Sequence, residues 1–323
     1  MPATQTRAAR LAIAGISDFQ KDIKDDSFST DQVEMKWMKR KNRIKYRRRG
    51  TAYEWKVMTD RGSVDEMEAE ALANFTPVNP GLNMSLTNDG YKTADLIHEI
   101  DLEEAADDQA IFDITDQRTQ AMPEATGFAF CTDFYLDGTS TTYGTNPITG
   151  CAGAIITTGS YGGQNVATHT ALAGQVLSGA PYNAYSTDPI PALTAAVLNT
   201  MRGNDLGMGT SRPDTIFMDF TNFLYLLNAA NDLRTAIKHE TSTDLGVEMV
   251  KFMGCEIIPS RFAVASRLFV LTSKHIEFHT PYSSLFQFRT QDELAPVSKP
   301  MLGFIYGKLV FRLLRPHARV TTA

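Results

Sequence analysis

Three groups of residues have types and spacings that could do chemistry. His275 and His279 stand four apart with Glu277 between them, a set that could hold a metal ion on a helix. The sequence around them (Ile276, Phe278, Thr280-Pro281) reads as strand instead. On a strand, positions i and i+4 share a face about 13 Å apart, too far to chelate one zinc. No HExxH is present, and His98, His169, His239 and His317 are scattered. The second group is acidic: Asp101, Glu103, Glu104, Asp107, Asp108 and Asp116. Paired carboxylates can do acid–base work, but here they open a helical pattern and suit the positive end of its dipole, so they read as a solvated face. The third group is the glycine-rich run Gly150 to Gly163. It has neither the G-x-G-x-x-G of a dinucleotide site nor the Gly-Lys-Ser/Thr of a phosphate loop, and Gly159-Ser160-Tyr161-Gly162 is mis-spaced for a nucleophile elbow. Cys131, Cys151 and Cys255 form neither a CxxC site nor a disulfide framework. No catalytic, cofactor-binding or metal-binding residue is assigned, and no cofactor is expected.

The chain has 323 residues, 43% hydrophobic and 21% charged, with a formal net charge of −6. That is the make-up of a globular protein with a sizeable core. No apolar run reaches the ~18 residues of a membrane-spanning helix, and Leu11 to Ile16 is too short for a signal-peptide core, so no membrane partner is expected. Three scattered cysteines fit folding in a reducing cytoplasm.

The one charge run lies in residues 1–50. Lys36, Lys39, Arg40, Lys41, Arg43, Lys45, Arg47, Arg48 and Arg49 put nine cations in fourteen positions of an otherwise acidic chain. Two readings stand side by side: a solvated face or flexible arm, and a contact for something acidic. Trp37 and Tyr46 could stack on bases, but no DNA-reading module accompanies them. Within this arm Ala12, Ile16, Phe19 and Ile23 have helical spacing, and Ser29-x-x-Gln32 fits a capping box opening a second helix through Met35 and Met38.

The remaining elements read as α+β. Tyr53, Trp55 and Val57 alternate with polar residues, as do Leu82, Met84 and Leu86, giving a long hairpin over 51–90. It has no core of its own and makes sense lying across a neighbour, so Tyr53, Trp55 and Val57 are candidate inter-subunit residues. Asp101 can cap a helix over about 102–122, which Pro123 should end or kink, with helix resuming from Phe128 to Leu136. Leu193, Ala196, Val197 and Met201 mark another helix. Thr215 to Phe220 reads as a buried strand, with Thr221 as cap for a helix on Phe223, Leu226 and Leu227. Val247 to Ile258 reads as a hairpin turning at Met253-Gly254, Leu268 to Leu271 as a core strand, and Ile305 to Leu313 as the closing strand.

The order of these pieces resembles a family. Strand, helix, Val247-x-x-Val250-x-Phe252-x-Gly254-x-x-Ile257-Ile258-Pro259, then Leu268-Phe-Val-Leu271, resembles the A-domain of tailed-bacteriophage major capsid proteins with the Hong Kong 97 fold. Gly153-Ala154-Ile155 and Ser160-Tyr161-Gly162-Gly163 are similar to the segment leading into that domain. Tyr53-x-Trp55-x-Val57 resembles the strand entering the E-loop, and Asp137-Gly138-Thr139 the loop after the spine helix. The departures are Pro123 and Gln164-Asn165-Val166, where the family has a basic residue and a tryptophan.

The resemblance implies an N-terminal arm at 1–50 and an E-loop hairpin at 51–90. It implies a P-domain at 91–149 and 273–300, with a spine helix over about 102–122, and an A-domain at 150–272 and 301–323. It implies a non-enzymatic structural protein of the virion capsid, assembled in the host cytoplasm as pentamers and hexamers of itself around double-stranded DNA. Scaffolding and portal proteins are implied partners, with a cement protein as a further one. An encapsulin-like compartment is the alternative within the fold; an α+β enzyme with dispersed site residues is the alternative outside it.

Overall fold

The computed structural model describes residues 32–48, 50–57, 81–98, 108–139, 148–169, 172–203, 212–232, 238–242, 247–290 and 298–322. Ser29, Arg49, Asp101 to Asp107 and the first helical pattern at 12–23 lie outside the described residues.

Two sheets organise these residues. A five-stranded sheet holds β1 (Ile44–Lys45), β4 (Asp89–His98), β13 (Ile276–His279), β14 (Phe286–Thr290) and β15 (Ser298–Phe311). A seven-stranded sheet runs β7 (Gln175–Leu177), β16 (Ala318–Thr321), β12 (Arg267–Leu271), β8 (Thr215–Met218), β11 (Cys255–Pro259), β10 (Val247–Phe252) and β9 (Lys238–Ser242). Two small hairpins stand apart: β2 (Ala52–Val57) with β3 (Leu82–Thr87), and β5 (Ser160–Tyr161) with β6 (Gln164–Asn165). The helices are α1 (Val33–Arg40), α2 (Asp108–Asp133), α3 (Cys151–Ala154), α4 (Pro189–Gly203) and α5 (Phe220–Asp232).

The seven-stranded sheet is buried on both faces, and alternation decides which residue goes where. Ile216, Met218, Ile257, Leu268 and Val270 face α4 and α5 in one core, with Leu193, Val197 and Leu226. Phe217, Ile258, Phe269 and Leu271 face the other core, shared with α1, α2, α3 and the five-stranded sheet. The β10–β11 turn follows the sequence expectation: Met253 (φ 50°) and Gly254 (φ 84°) are both left-handed, as a two-residue hairpin turn needs.

Several expectations are corrected. Pro123 does not end the spine helix, which runs through it as one element over Asp108–Asp133, beyond the expected end at 122. A proline removes a single intrahelical bond, and the turns beyond it bury Ala129, Phe130 and Cys131, while the Thr126 hydroxyl donates to the carbonyls of Met122 (3.0 Å) and Pro123 (3.1 Å). Thr221 is not the cap of α5. The Asp219 carboxylate, two residues earlier, accepts the Thr221 backbone N–H at 3.1 Å. Gln32 makes no capping bond to α1; its Nε2 donates to the Glu124 carbonyl at 2.9 Å and ties α1 to α2.

The strand 301–311, assigned with the A-domain, belongs to the five-stranded sheet. β15 pairs with β4 over Ser298–Gly307, with β14 over Met301–Ile305 and with β13 over Lys308–Phe311. Gly307 makes this possible, since a Cβ there would stand 2.3 Å from the His279 carbonyl oxygen and 2.7 Å from the Phe278 ring. Of the closing segment, β16 enters the seven-stranded sheet. His275 is not on a strand with His279; it closes a 3-10 turn over Ser273–His275.

Candidate assembly surfaces

The hairpin candidates Tyr53, Trp55 and Val57 lie on β2, and the structure gathers all three at one seat. Trp55 pairs with Met84 across the hairpin, and Trp55, Val57 and Met84 are buried within the single chain. The indole Nε1 of Trp55 donates to the Arg312 carbonyl at 3.1 Å. Its ring meets Tyr161 edge-on at 6.3 Å, and the Tyr161 hydroxyl accepts the Phe311 N–H at 2.9 Å. The β5–β6 turn holds the other side: Ser85 N–H donates to the Gly162 carbonyl at 3.0 Å, and Gln164 Nε2 to the Asn83 carbonyl at 2.8 Å. Gly162 (φ 58°) needs its left-handed backbone, and a Cβ there would press on Met84 at 3.0 Å.

Tyr53 stacks on His279. His279 in turn contacts Glu277, Nε2 to Oε2 at 3.0 Å, and Arg312 reaches the other carboxylate oxygen at 3.5 Å. The His279 hydrogen bond, then Arg312, holds the Glu277 carboxyl below its usual range against the opposing effect of burial. The histidines singled out for metal chemistry thus do different work: His279 is a platform for the hairpin. Burial, reinforced by Lys274, Arg312 and Arg43, pushes His275 down to about 4. Glu277 and Arg312 gave no signal as hairpin contacts, because they lie more than 200 positions away from Tyr53 in the chain.

The nine basic residues do not form one patch. Lys36 and Lys39 are on α1, half-buried and exposed respectively. Arg40 is engaged by Glu256, and Lys41 lies 3.2 Å from Glu256 and 3.4 Å from Asp214, so these two are turned onto the seven-stranded sheet of their own chain. Arg43 and Lys45 flank Ile44 on β1, where Phe278 N–H donates to the Arg43 carbonyl at 2.9 Å. Arg47 and Arg48 are exposed, with backbone bonds to Tyr282 and Thr280; Arg49 lies outside the described residues. Residues 33–48 are therefore packed against the body, with Val33, Met35, Trp37 and Met38 buried, where the sequence suggested an arm. Hydrophobic spacing on α1 outweighs the repulsion of its cations because those cations face outward or meet Glu256 and Asp214.

Among the described residues, α2 is the helix packed on the β4–β15–β14 sheet, and it covers the face of Tyr91, Met301 and Ile305. The opposite face carries Lys92, Ala94 and Leu96 on β4, Leu302, Phe304 and Tyr306 on β15, and Arg289 over the Phe304 ring at 5.2 Å. Exposed apolar side chains also stand on the other layer: Leu198 on α4, and Phe220 and Leu224 one turn apart on α5.

Two sheets sharing a core, a long helix on one of them and a hairpin seated against the body match the Hong Kong 97-like capsid fold. No protein-family model and no curated protein sequence matches the chain. Its likeness is to solved structures. One is a chain of the cyanophage A-1(L) capsid asymmetric unit, with TM-score 0.67 and 14% identity over 87% of this chain and 90% of that one. A chain of the bacteriophage PhiM1 mature capsid gives 0.56 and 11% over 87% and 86%. The SrpI encapsulin from Synechococcus elongatus PCC 7942 gives 0.53 and 11% over 88% and 86%.

Proposed function

We propose that this chain is a structural, non-catalytic major capsid protein that self-assembles into the icosahedral shell around the double-stranded DNA of a tailed phage. The observation that carries this reading is likeness to phage capsid chains over 87% of this chain and 86 to 90% of theirs. In this reading the unit built on the seven-stranded sheet gathers into pentamers and hexamers, and the segment between Val57 and Gly81 lies over the next copy. Arg47, Arg48 and Arg49 face an acidic partner, DNA on the inner surface or a scaffolding protein; portal and cement proteins complete the particle. Many modest contacts repeated under symmetry close such a shell.

A second reading is a protein-filled compartment, favoured by the likeness to the SrpI encapsulin. Negative-stain microscopy of the protein expressed alone and with its genomic neighbours tests both. Closed, nuclease-protected, DNA-filled particles support the capsid; closed particles holding a co-purifying protein and no nucleic acid support the compartment. A chain that stays monomeric under both conditions overturns the shell reading.

A further inference from the structure

Glu34 is a fully buried carboxylate at the meeting point of the two halves of the molecule. It sits on α1. One of its oxygens accepts the Tyr135 hydroxyl, just beyond α2, at 2.6 Å, and also the Ser260 hydroxyl, just beyond β11. Its other oxygen has no hydrogen-bond partner. One side chain thus ties α1 to the long helix and to the seven-stranded sheet at once. The rest of α1 follows the same plan: Gln32 bonds the Glu124 carbonyl on α2, and Trp37 Nε1 donates to Thr215 Oγ1 on β8 at 3.0 Å. Trp37 also packs edge-on against Phe134 (6.3 Å) and Phe217 (5.2 Å), one from each side. α1 is a pin between the long helix and the seven-stranded sheet.

Among the described residues, no cation pairs with Glu34. The groups that face it are Tyr135, Ser260, and the Cys131 and Cys151 thiols of α2 and α3. Of the cations on its own helix, Lys36 is half-buried, Lys39 exposed and Arg40 engaged by Glu256. An unpaired buried carboxylate is costly, whereas the neutral acid is not. Burial accordingly raises its pKa, more than the Ser260 and Tyr135 hydroxyls, its own backbone N–H and the Cys131 thiol lower it.

We propose that Glu34 is a proton-controlled latch: in its neutral form it holds α1 between the long helix and the seven-stranded sheet, and in its ionised form it loosens that helix. The sign follows from the raised pKa. Docking of α1 is strongest below the carboxyl's ordinary range and weakens as pH rises through its value in the fold. The latch belongs to the single chain and does not depend on whether that chain builds a shell.

Hydrogen exchange of the full-length chain from about pH 5 to about pH 9, corrected for the intrinsic pH dependence of exchange, tests it. Amides of 33–40 should lose protection severalfold as pH rises, while those of β8 and β12 hold theirs. Glu34→Gln keeps an acceptor for Tyr135 and Ser260 but cannot ionise, so its α1 should show a flat profile. Tyr135→Phe removes a donor that favours the ionised form, and should move the loss to higher pH. Flat protection in the unaltered chain, or the same slope in Glu34→Gln, overturns the latch. Should Glu34→Gln not fold, the direction of the Tyr135→Phe shift decides alone, and a shift to lower pH or none overturns it.

Discussion

Tyr53 lies nearly flat on the imidazole of His279, with ring centroids 3.9 Å apart and 26° between the planes. The two residues are 226 positions apart in the chain, and their contact seats the β2–β3 hairpin on β13. Trp55, two positions on, stacks beside Tyr53 at 5.6 Å and bonds the Arg312 carbonyl, so the root is a small aromatic block and not a loose hinge.

Trp55→Ala should destabilise the folded chain by about 3 kcal/mol, through the cavity left among Met84, Tyr161 and Gly162. Trp55→Phe should cost about 1 kcal/mol, mainly the bond to the Arg312 carbonyl. Urea unfolding of both variants measures the difference. A Trp55→Phe cost near zero would mean that the indole N–H contributes nothing to the seat.

Acid should weaken the fold through its buried imidazoles. Burial holds His317 down to about 3 and His275 to about 4, both below the ordinary 6.5. The unfolded chain then binds more protons in that window, so stability is complete above about 6.5 and falls as pH drops towards 3. Glu277, with its carboxyl held low, adds loss in the same direction at lower pH, while Glu34 acts with the opposite sign. Tm followed from pH 7.5 to about 4.5 should fall less in the His275→Gln/His317→Gln double variant than in the parent. A slope of equal size in both would remove the histidines as its source.

Neutralising Arg47, Arg48 and Arg49 together to Gln should change particle yield or DNA content without altering the monomer's melting. The two described members are exposed and are held by backbone bonds, so their side chains contribute little to the fold. Particles unchanged in number and in DNA content would leave these arginines as a solvated face.

Deleting 62–80 should leave a cooperatively melting monomer, because Trp55, Val57 and Met84 are already buried within the chain. Shell closure should be lost. Sedimentation and microscopy read the two effects separately, and closed particles of normal size from the deletion variant would end the role of this segment as an inter-subunit clamp.

The elements whose cause is local were legible along the chain. Alternation at Tyr53-Trp55-Val57, the Met253-Gly254 turn and the run from Leu268 to Leu271 each depend on side-chain period or backbone sterics within a few residues. Their order was enough to make the capsid resemblance legible. Tertiary structure alone decided which sheet each strand joins and which polar groups meet. β15 has the same alternating pattern whichever sheet takes it, and only the close approach at Gly307 and the pairing with β4, β13 and β14 choose. Pro123 stays inside α2 because burial beyond it outweighs one lost backbone bond. The basic run is divided by acids 160 to 220 positions away, Asp214 and Glu256, which no local pattern announces. Periodicity is a property of one segment, whereas a long-range pairing is a property of two, and the second segment is not written into the first.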